Sequence, residues 1–251
     1  MKLTVLGSGT LIPFPKRGNS GYFLQSGTTN ILIDGGSGAL RKISDFGLNY
    51  LEINGICYSH LHPDHTMDLI PFLFALKHDP RVVNGKLLQI VAPVGFISYF
   101  DRLMDIYGEW TLSEDVKLNI EELTKGTAEI GDISFTCDHT EHTQHSITYR
   151  FMDSNGKEIF YSGDTDYCKI LIDSAKGVDV LILECSFPDQ EKKSGHLTPV
   201  ECGQIAYETQ CGRLVLTHLY PDVLNEDIIS SIRKSYDGRV DIAFDGMEII
   251  I

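Results

Sequence analysis

The chain has 251 residues, with 35 acidic against 21 basic side chains and a formal charge of −14. Non-specific affinity for nucleic acid comes from Lys and Arg displacing counterions, so this balance argues against a long polyanion as partner. A small anion drawn to one local positive spot remains compatible with it.

The length can bury a sizeable core and no Pro/Ser-rich linker interrupts it, so one domain over residues 1–251 is expected. The six cysteines form no Cys-x-x-Cys pair and most fall in apolar segments, as reduced thiols of a cytoplasmic protein do. The apolar run at the N-terminus is too short for a signal peptide, and no stretch approaches membrane-spanning length.

In chain order, residues 2–6 predict a strand ended by Gly7-Ser8-Gly9, 22–25 and 31–34 a hairpin pair, and 38–46 a short helix. Residues 53–58 form a short apolar run of strand type, and 67–76 read as a helix. Between these two lies His60-Leu61-His62-Pro63-Asp64-His65.

Residues two apart on an extended segment point the same way, so His60 and His62 can present imidazoles to one point. Pro63 then turns the chain, and Asp64 and His65 come at the start of the helix. Three imidazoles and a carboxylate within six positions have the donor set of a transition-metal site. The plain alternative is a loop that happens to be rich in histidine. With nine His in the chain, three in one hexapeptide favour the metal site. His60 and His62 suit one ion, while Asp64 and His65 suit a second, on the order of 3.5–4 Å away. Two ions need further ligands.

Strands are expected at 87–91, 116–123, 133–137, 147–152 and 158–161, with a helix at 96–107. Asn155-Gly156 marks the turn between the last two strands. Strands at 178–183, 213–217 and 240–244 then alternate with helices at 199–210 and 227–236. Thr198-Pro199-Val200-Glu201 carries three helix-start signals at once: a capping Thr, Pro at the first turn and Glu for a capping box. The strand-rich middle and the βα alternation predict an α/β fold, a four-layer αββα sandwich with the metals at one edge between two halves. The halves echo one another weakly. Residues 31–35 resemble 160–164, and Tyr58-Ser59-His60-Leu61 resembles Leu216-Thr217-His218-Leu219.

Candidates for the missing ligands are Asp164 and His218, both at strand ends, and one of His139, His142 and His145. Locally, Asp164 reads equally as a turn or cap residue, and His218 and His196 as polar loop residues. Local chemistry does not choose among the three histidines of the 139–145 tract.

The ordered set His60-x-His62-x-Asp64-His65, a later His, Asp in Ser162-Gly163-Asp164-Thr165 and the strand-end His218 resembles the signature of the metallo-β-lactamase superfamily. The resemblance covers almost the whole chain. It is closest to the ribonuclease Z and phosphodiesterase-like branch. The residues that carry this are Val5-Leu6-Gly7-Ser8-Gly9-Thr10 with Asn19-Ser20, His142-Thr143 with Ser146 and Tyr149-Arg150, Gly195-His196-Leu197-Thr198, and Asp245-Gly246-Met247.

The resemblance implies one metal on His60, His62, His142 and Asp164, and another on Asp64, His65, Asp164 and His218, with Asp164 shared. It implies two divalent ions, zinc by ligand type with manganese or iron possible, and a hydrolytic hydroxide between them, oriented by Asp64. His196 is expected to serve the leaving group, supported by Glu184. Whether the helix start beside His196 or the Glu184 carboxylate governs its charge is open. Asp34 reads as structural, holding a loop beneath the metals. Lys16 and Arg17 read as a solvated loop pair rather than as phosphate contacts.

Transfer-RNA-processing relatives carry a long basic arm between the third-motif His and the shared Asp. Here only the 21 residues 143–163 lie between His142 and Asp164. The expected activity is therefore hydrolysis of a small or cyclic phosphodiester. The alternatives are lactone or sulfate-ester hydrolysis, disfavoured transfer-RNA 3′ processing, or a non-catalytic metal-binding accessory role. A small anionic substrate, no membrane and a possible homodimer complete the expectations.

Overall fold

Fourteen short strands pair into two seven-stranded sheets in this computed structural model, which describes residues 1–251. The first sheet runs β14 (Glu248–Ile250), β1 (Lys2–Gly7), β2 (Gly21–Ser26), β3 (Thr29–Gly35), β4 (Gly55–Cys57), β5 (Lys86–Pro93) and β6 (Val116–Leu123). The second runs β13 (Arg239–Ile242), β12 (Arg213–Thr217), β11 (Val180–Glu184), β10 (Glu158–Tyr161), β9 (Ile147–Met152), β8 (Ile133–His139) and β7 (Gly126–Ile130). Each sheet is antiparallel on one flank and parallel on the other. The parallel flanks are β3 to β6 and β10 to β13.

The side-chain period of two builds the layers. In β3, Ile31 and Ile33 enter the core between the sheets, while Leu32 packs under the outer helices. In β11, Val180 and Ile182 face the same inner core, and Leu181 and Leu183 face the helices of the other side. Strands covered on both faces must be apolar at every position, which is why these segments read as unbroken hydrophobic runs. Phe135, Tyr149 and Phe151 fill the inner layer, each fully buried ring contributing roughly 1.5–3 kcal/mol.

Helices α1 (Ala39–Asp45), α3 (Leu69–His78) and α4 (Phe96–Thr111) cover the first sheet, and α5 (Lys169–Ser174), α6 (Pro199–Thr209) and α7 (Ile228–Ile232) the second. The expected αββα sandwich is thus the observed one. No helix is long and apolar enough to cross a membrane.

Two of the helices differ from the sequence reading. The helix expected at 67–76 is preceded by a separate turn, α2 (Pro63–Thr66). The break falls at Asp68, whose carboxylate accepts from the backbone N–H of Gly38 and Leu40 and whose own N–H donates to Gly35. The helix expected at 227–236 is reduced to Ile228–Ile232, where Asp227 caps it by accepting from Ser230 N–H.

The internal echo also holds only in part. β3 and β10 are each the first strand of a parallel flank, so Asp34 and Asp164 occupy matching strand ends. His60, however, follows the second strand of its flank and His218 the third. The counterpart of β4 is β11, which ends in Glu184 rather than in a histidine.

Candidate metal centre

The carboxyl ends of β3, β4, β10, β11 and β12 converge on one edge of the sandwich, and every candidate side chain but His142 follows one of them. His60 leaves β4. The chain stays extended at His62, with φ −65° and ψ 151°, and Pro63 opens α2 at its first turn. Glycine is required close by. A Cβ on Gly36 would lie 2.0 Å from the Asp64 carbonyl oxygen, and one on Gly163, at φ +58°, would meet Ser59 at 2.8 Å.

The donors gather as two adjoining groups. His60, His62, His142 and Asp164 form one, and Asp64, His65 and His218 the other, with the donor atoms of each group within 4.8 Å of one another. Asp164 belongs to both in geometry. Its Oδ2 lies 3.8 Å from His60 Nε2, 3.7 Å from His142 Nε2 and 3.4 Å from His218 Nε2, while Oδ1 lies 3.4 Å from His65 Nε2. His218 Nε2 is also 3.4 Å from Asp64 Oδ2, and His142 Nε2 is 3.1 Å from His62 Nδ1. Ligands about 2.0–2.1 Å from a tetrahedral ion stand roughly 3.3 Å apart, close to these spacings. His60 Nε2, His65 Nε2 and Asp164 Oδ1 are buried without a hydrogen-bond partner. Inward-facing buried donors left unpaired are what a divalent cation satisfies, so the residues fit the ions the sequence pattern implies.

In the chain without metal, burial of His65 is outweighed by Asp164 and then Asp34, which hold it well above the ordinary histidine range, with a proton that a bound cation would displace. Burial, and then the neighbouring His65, push His60 well below the ordinary histidine range, so its ring is neutral with a lone pair to offer. Burial opposes ionisation of Asp64, but the His218 hydrogen bond and the charge of His65 bring its carboxyl down to about 2.

Outer partners fix the rings. Asp34 Oδ2 lies 2.7 Å from His65 Nδ1, and the same carboxylate accepts from Ser59 N–H, Ser59 Oγ and Tyr161 Oη. Gly195 carbonyl holds His142 Nδ1 at 2.8 Å, and Ser59 Oγ sits 3.1 Å from His60 Nδ1. Ser186 Oγ lies 3.0 Å from His218 Nδ1 and donates to Glu184 Oε2 at 2.5 Å. Such outer contacts set tautomer and orientation. Asp34 is structural, as expected, in that it orients His65. Asp34 and His218 both stand at positive φ, 52° and 51°.

Glu184 is fully buried and reaches further than the sequence suggested. It accepts from Thr165 N–H at 2.7 Å, just after Asp164, and from Leu197 N–H at 3.1 Å, just after His196. Its Oε1 is 3.1 Å from His196 Nδ1. Burial disfavours charge on His196, yet the Glu184 hydrogen bond and charge hold it above the usual histidine value. Glu184 is thus the neighbour that most favours charge on the ring.

All seven expected ligands therefore meet at one place, with His196 and Glu184 beside them. His139 and His145 stay out of the donor groups. Arg17 is more than a solvated loop residue: half-buried, it donates to Ser8 Oγ at 2.7 Å and to the Ala243 carbonyl at 2.6 Å, because the loop folds back over the end of β1. Lys16 is exposed, as expected. Ser186 was not foreseen. A serine two residues after a strand-end Glu carries no signal without the fold that turns it towards His218.

Residues 29–219 match the model of a beta-lactamase superfamily domain. The chain is 31% identical to the probable metallo-hydrolase YhfI of Bacillus subtilis, over 98% of either chain. The crystal structure of YhfI, a metallo-beta-lactamase fold protein, superposes with a TM-score of 0.85 over 99% of both chains, at 27% identity. Human tRNase Z, short form, shares the fold at TM-score 0.80 and 23% identity, over 100% of this chain and 99% of that one. A diphosphatase from the PhnP family does so at 0.78 and 19%, over 100% and 97%. With the paired His/Asp groups at the expected edge, these likenesses place the chain in the metallo-β-lactamase superfamily of metal-dependent hydrolases.

Proposed function

We propose that this protein is a dinuclear metal-dependent phosphodiesterase acting on a small or cyclic phosphodiester. The observation that carries the reading is His196. Its Nδ1 is held by buried Glu184 and its ring lies within reach of the paired groups, 4.8 Å from His142 and 5.8 Å from His218 between ring centres.

The seven ligands would hold two divalent ions, zinc by donor type with manganese or iron served by the same set, and these would supply an acidified water as nucleophile and positive charge near the ester oxygens. Asp64, ionised at neutral pH, accepts a hydrogen bond from the nucleophile and orients it. As the P–O bond to the leaving group breaks, the departing oxygen takes the Nε2 proton of His196. The imidazole left behind is neutral, its Nδ1–H still on Glu184.

Residues 143–163 hold only β9, a tight turn and β10, which favours a nucleotide-sized ester over a folded RNA. The PhnP-family diphosphatase among the similar folds is consistent with hydrolysis at phosphorus. Six free, buried cysteines support a cytoplasmic setting.

His196 also lies with Asp164 and His218 as a possible donor group, so the test must separate acid from ligand. With bis(p-nitrophenyl) phosphate, His196→Ala should retain about two metal equivalents and lose about 10²–10⁴ in turnover. The loss should shrink as the leaving group improves. Metal loss, or equal slowing of all leaving groups, would assign His196 to binding or scaffold instead.

A further inference from the structure

The side of the site next to His196 is an aromatic wall that the mechanism leaves unused. Tyr220, two residues after His218, stacks on Phe187 with ring centres 4.5 Å apart and planes at 28°. It meets His218 edge-on at 5.7 Å and His196 at 6.2 Å, so one phenol ring borders both a metal-ligand histidine and the acid candidate. Phe187 itself is buried and lies 5.4 Å from His196, which fixes Tyr220 from behind.

The position is built in by the backbone. His218 takes a positive φ of 51°, and the next N–H, of Leu219, donates to the Ser8 carbonyl at 3.1 Å. That turn directs Tyr220 back across the mouth of the site. Its hydroxyl has no hydrogen-bond partner in the chain. A phenol with no partner in the chain is a hydrogen-bond donor at neutral pH. A second free donor stands at the rim. The Lys192 ammonium is taken up by Asp166 and Glu201, whereas the Lys193 ammonium rests 4.3 Å from the centre of the Phe187 ring with no carboxylate in ion-pair reach.

We propose that Tyr220 is a substrate-binding residue whose hydroxyl donates a hydrogen bond to an unesterified oxygen of an anionic ester seated over the His/Asp groups, with Lys193 attracting the same anion from the rim. The identity of the ester rests on the phosphodiesterase reading. The donors themselves select for negative charge, since a neutral lactone or carboxylic ester offers no anionic oxygen to receive them. Tyr220 thus separates anionic from neutral esters in a fold whose nucleophile does not.

The test is a calorimetric titration of the manganese-loaded protein with inorganic phosphate, beside turnover of bis(p-nitrophenyl) phosphate and p-nitrophenyl acetate. Tyr220→Phe keeps the ring and its stack on Phe187. It should retain metal content and melting temperature, raise the phosphate Kd about tenfold, and lower the diester-to-acetate turnover ratio by a similar factor. Lys193→Met should raise the Kd by a smaller factor, and Tyr167→Phe, a tyrosine bonded to Glu208 away from the wall, should leave it unchanged. Unchanged phosphate affinity in Tyr220→Phe, or equal loss on both esters, overturns the proposal, as does a wild-type protein that binds no phosphate. Affinity lost in Tyr220→Phe while the wild-type protein cleaves no diester upholds Tyr220 and overturns the phosphodiesterase reading.

Discussion

The first half of the chain delivers His60, His62, Asp64 and His65 from one hexapeptide that runs from the end of β4 into α2, whereas the second half delivers His142, Asp164, His196 and His218 from four separate loops. The first arrangement is local. A strand end, an extended dipeptide and a proline turn place the donors, and Asp34 fixes His65 from the adjacent strand end. The second has to be gathered over long sequence distances, and one buried carboxylate does it. Glu184 holds the backbone after Asp164, the ring of His196 and the backbone just after it, and, through Ser186, the ring of His218. Glu184 stands at the strand end that matches the β4 end in the other sheet, so equivalent places carry a ligand cluster in one half and its organiser in the other.

The comparison can be broken most severely at the residue common to both groups. Asp164→Ala should bring metal content, measured by elemental analysis, from about two equivalents to below one, with turnover abolished. Retention of two equivalents would dissolve the shared-ligand geometry. Phe135→Ala acts on the layer both halves share. It should cost about 3–5 kcal/mol in denaturant unfolding, as a single transition with ligands from both halves lost together. Two transitions would show that the halves hold independently.

Asp34→Asn and Glu184→Gln sharpen the contrast. Each should weaken metal affinity about 10–100-fold, read by competition with a chromogenic chelator. Only Glu184→Gln should also slow turnover at saturating metal, because only Glu184 touches His196. Equal kinetic damage from both would make Glu184 an ordinary orienting carboxylate. The smallest effect is expected at Lys192→Met. This removes partly exposed ion pairs to Asp166 and Glu201 and should lower stability by about 0.2–1 kcal/mol.

The same contrast explains what the sequence could show. The hexapeptide was legible because its spacing is its geometry. Both sheets were legible wherever a strand is apolar on two faces, as at 31–33 and 180–183. His142 could be chosen over His139 and His145 only by resemblance, since what selects it is the Gly195 carbonyl, 53 residues away. Ser186, the interruption at Asp68 and the anchoring of Arg17 on Ala243 all depend on partners remote in sequence. The apparent kinship of His60 and His218 was a likeness of tetrapeptides that the strand order does not support.

The segment carrying His196 is fastened along its length. Asp189 accepts from Val200 N–H and Ser231 Oγ, Lys192 spans Asp166 and Glu201, and Gly195 donates to Asp166 while its carbonyl holds His142. A segment tied at so many points has little ordering left to do when substrate arrives, so the encounter rate should be governed by diffusion and by long-range charge. For an anion approaching a chain of formal charge −14 that field is repulsive beyond the site. Added salt shortens its reach, and kcat/KM should therefore rise, not fall, as ionic strength is raised from low values.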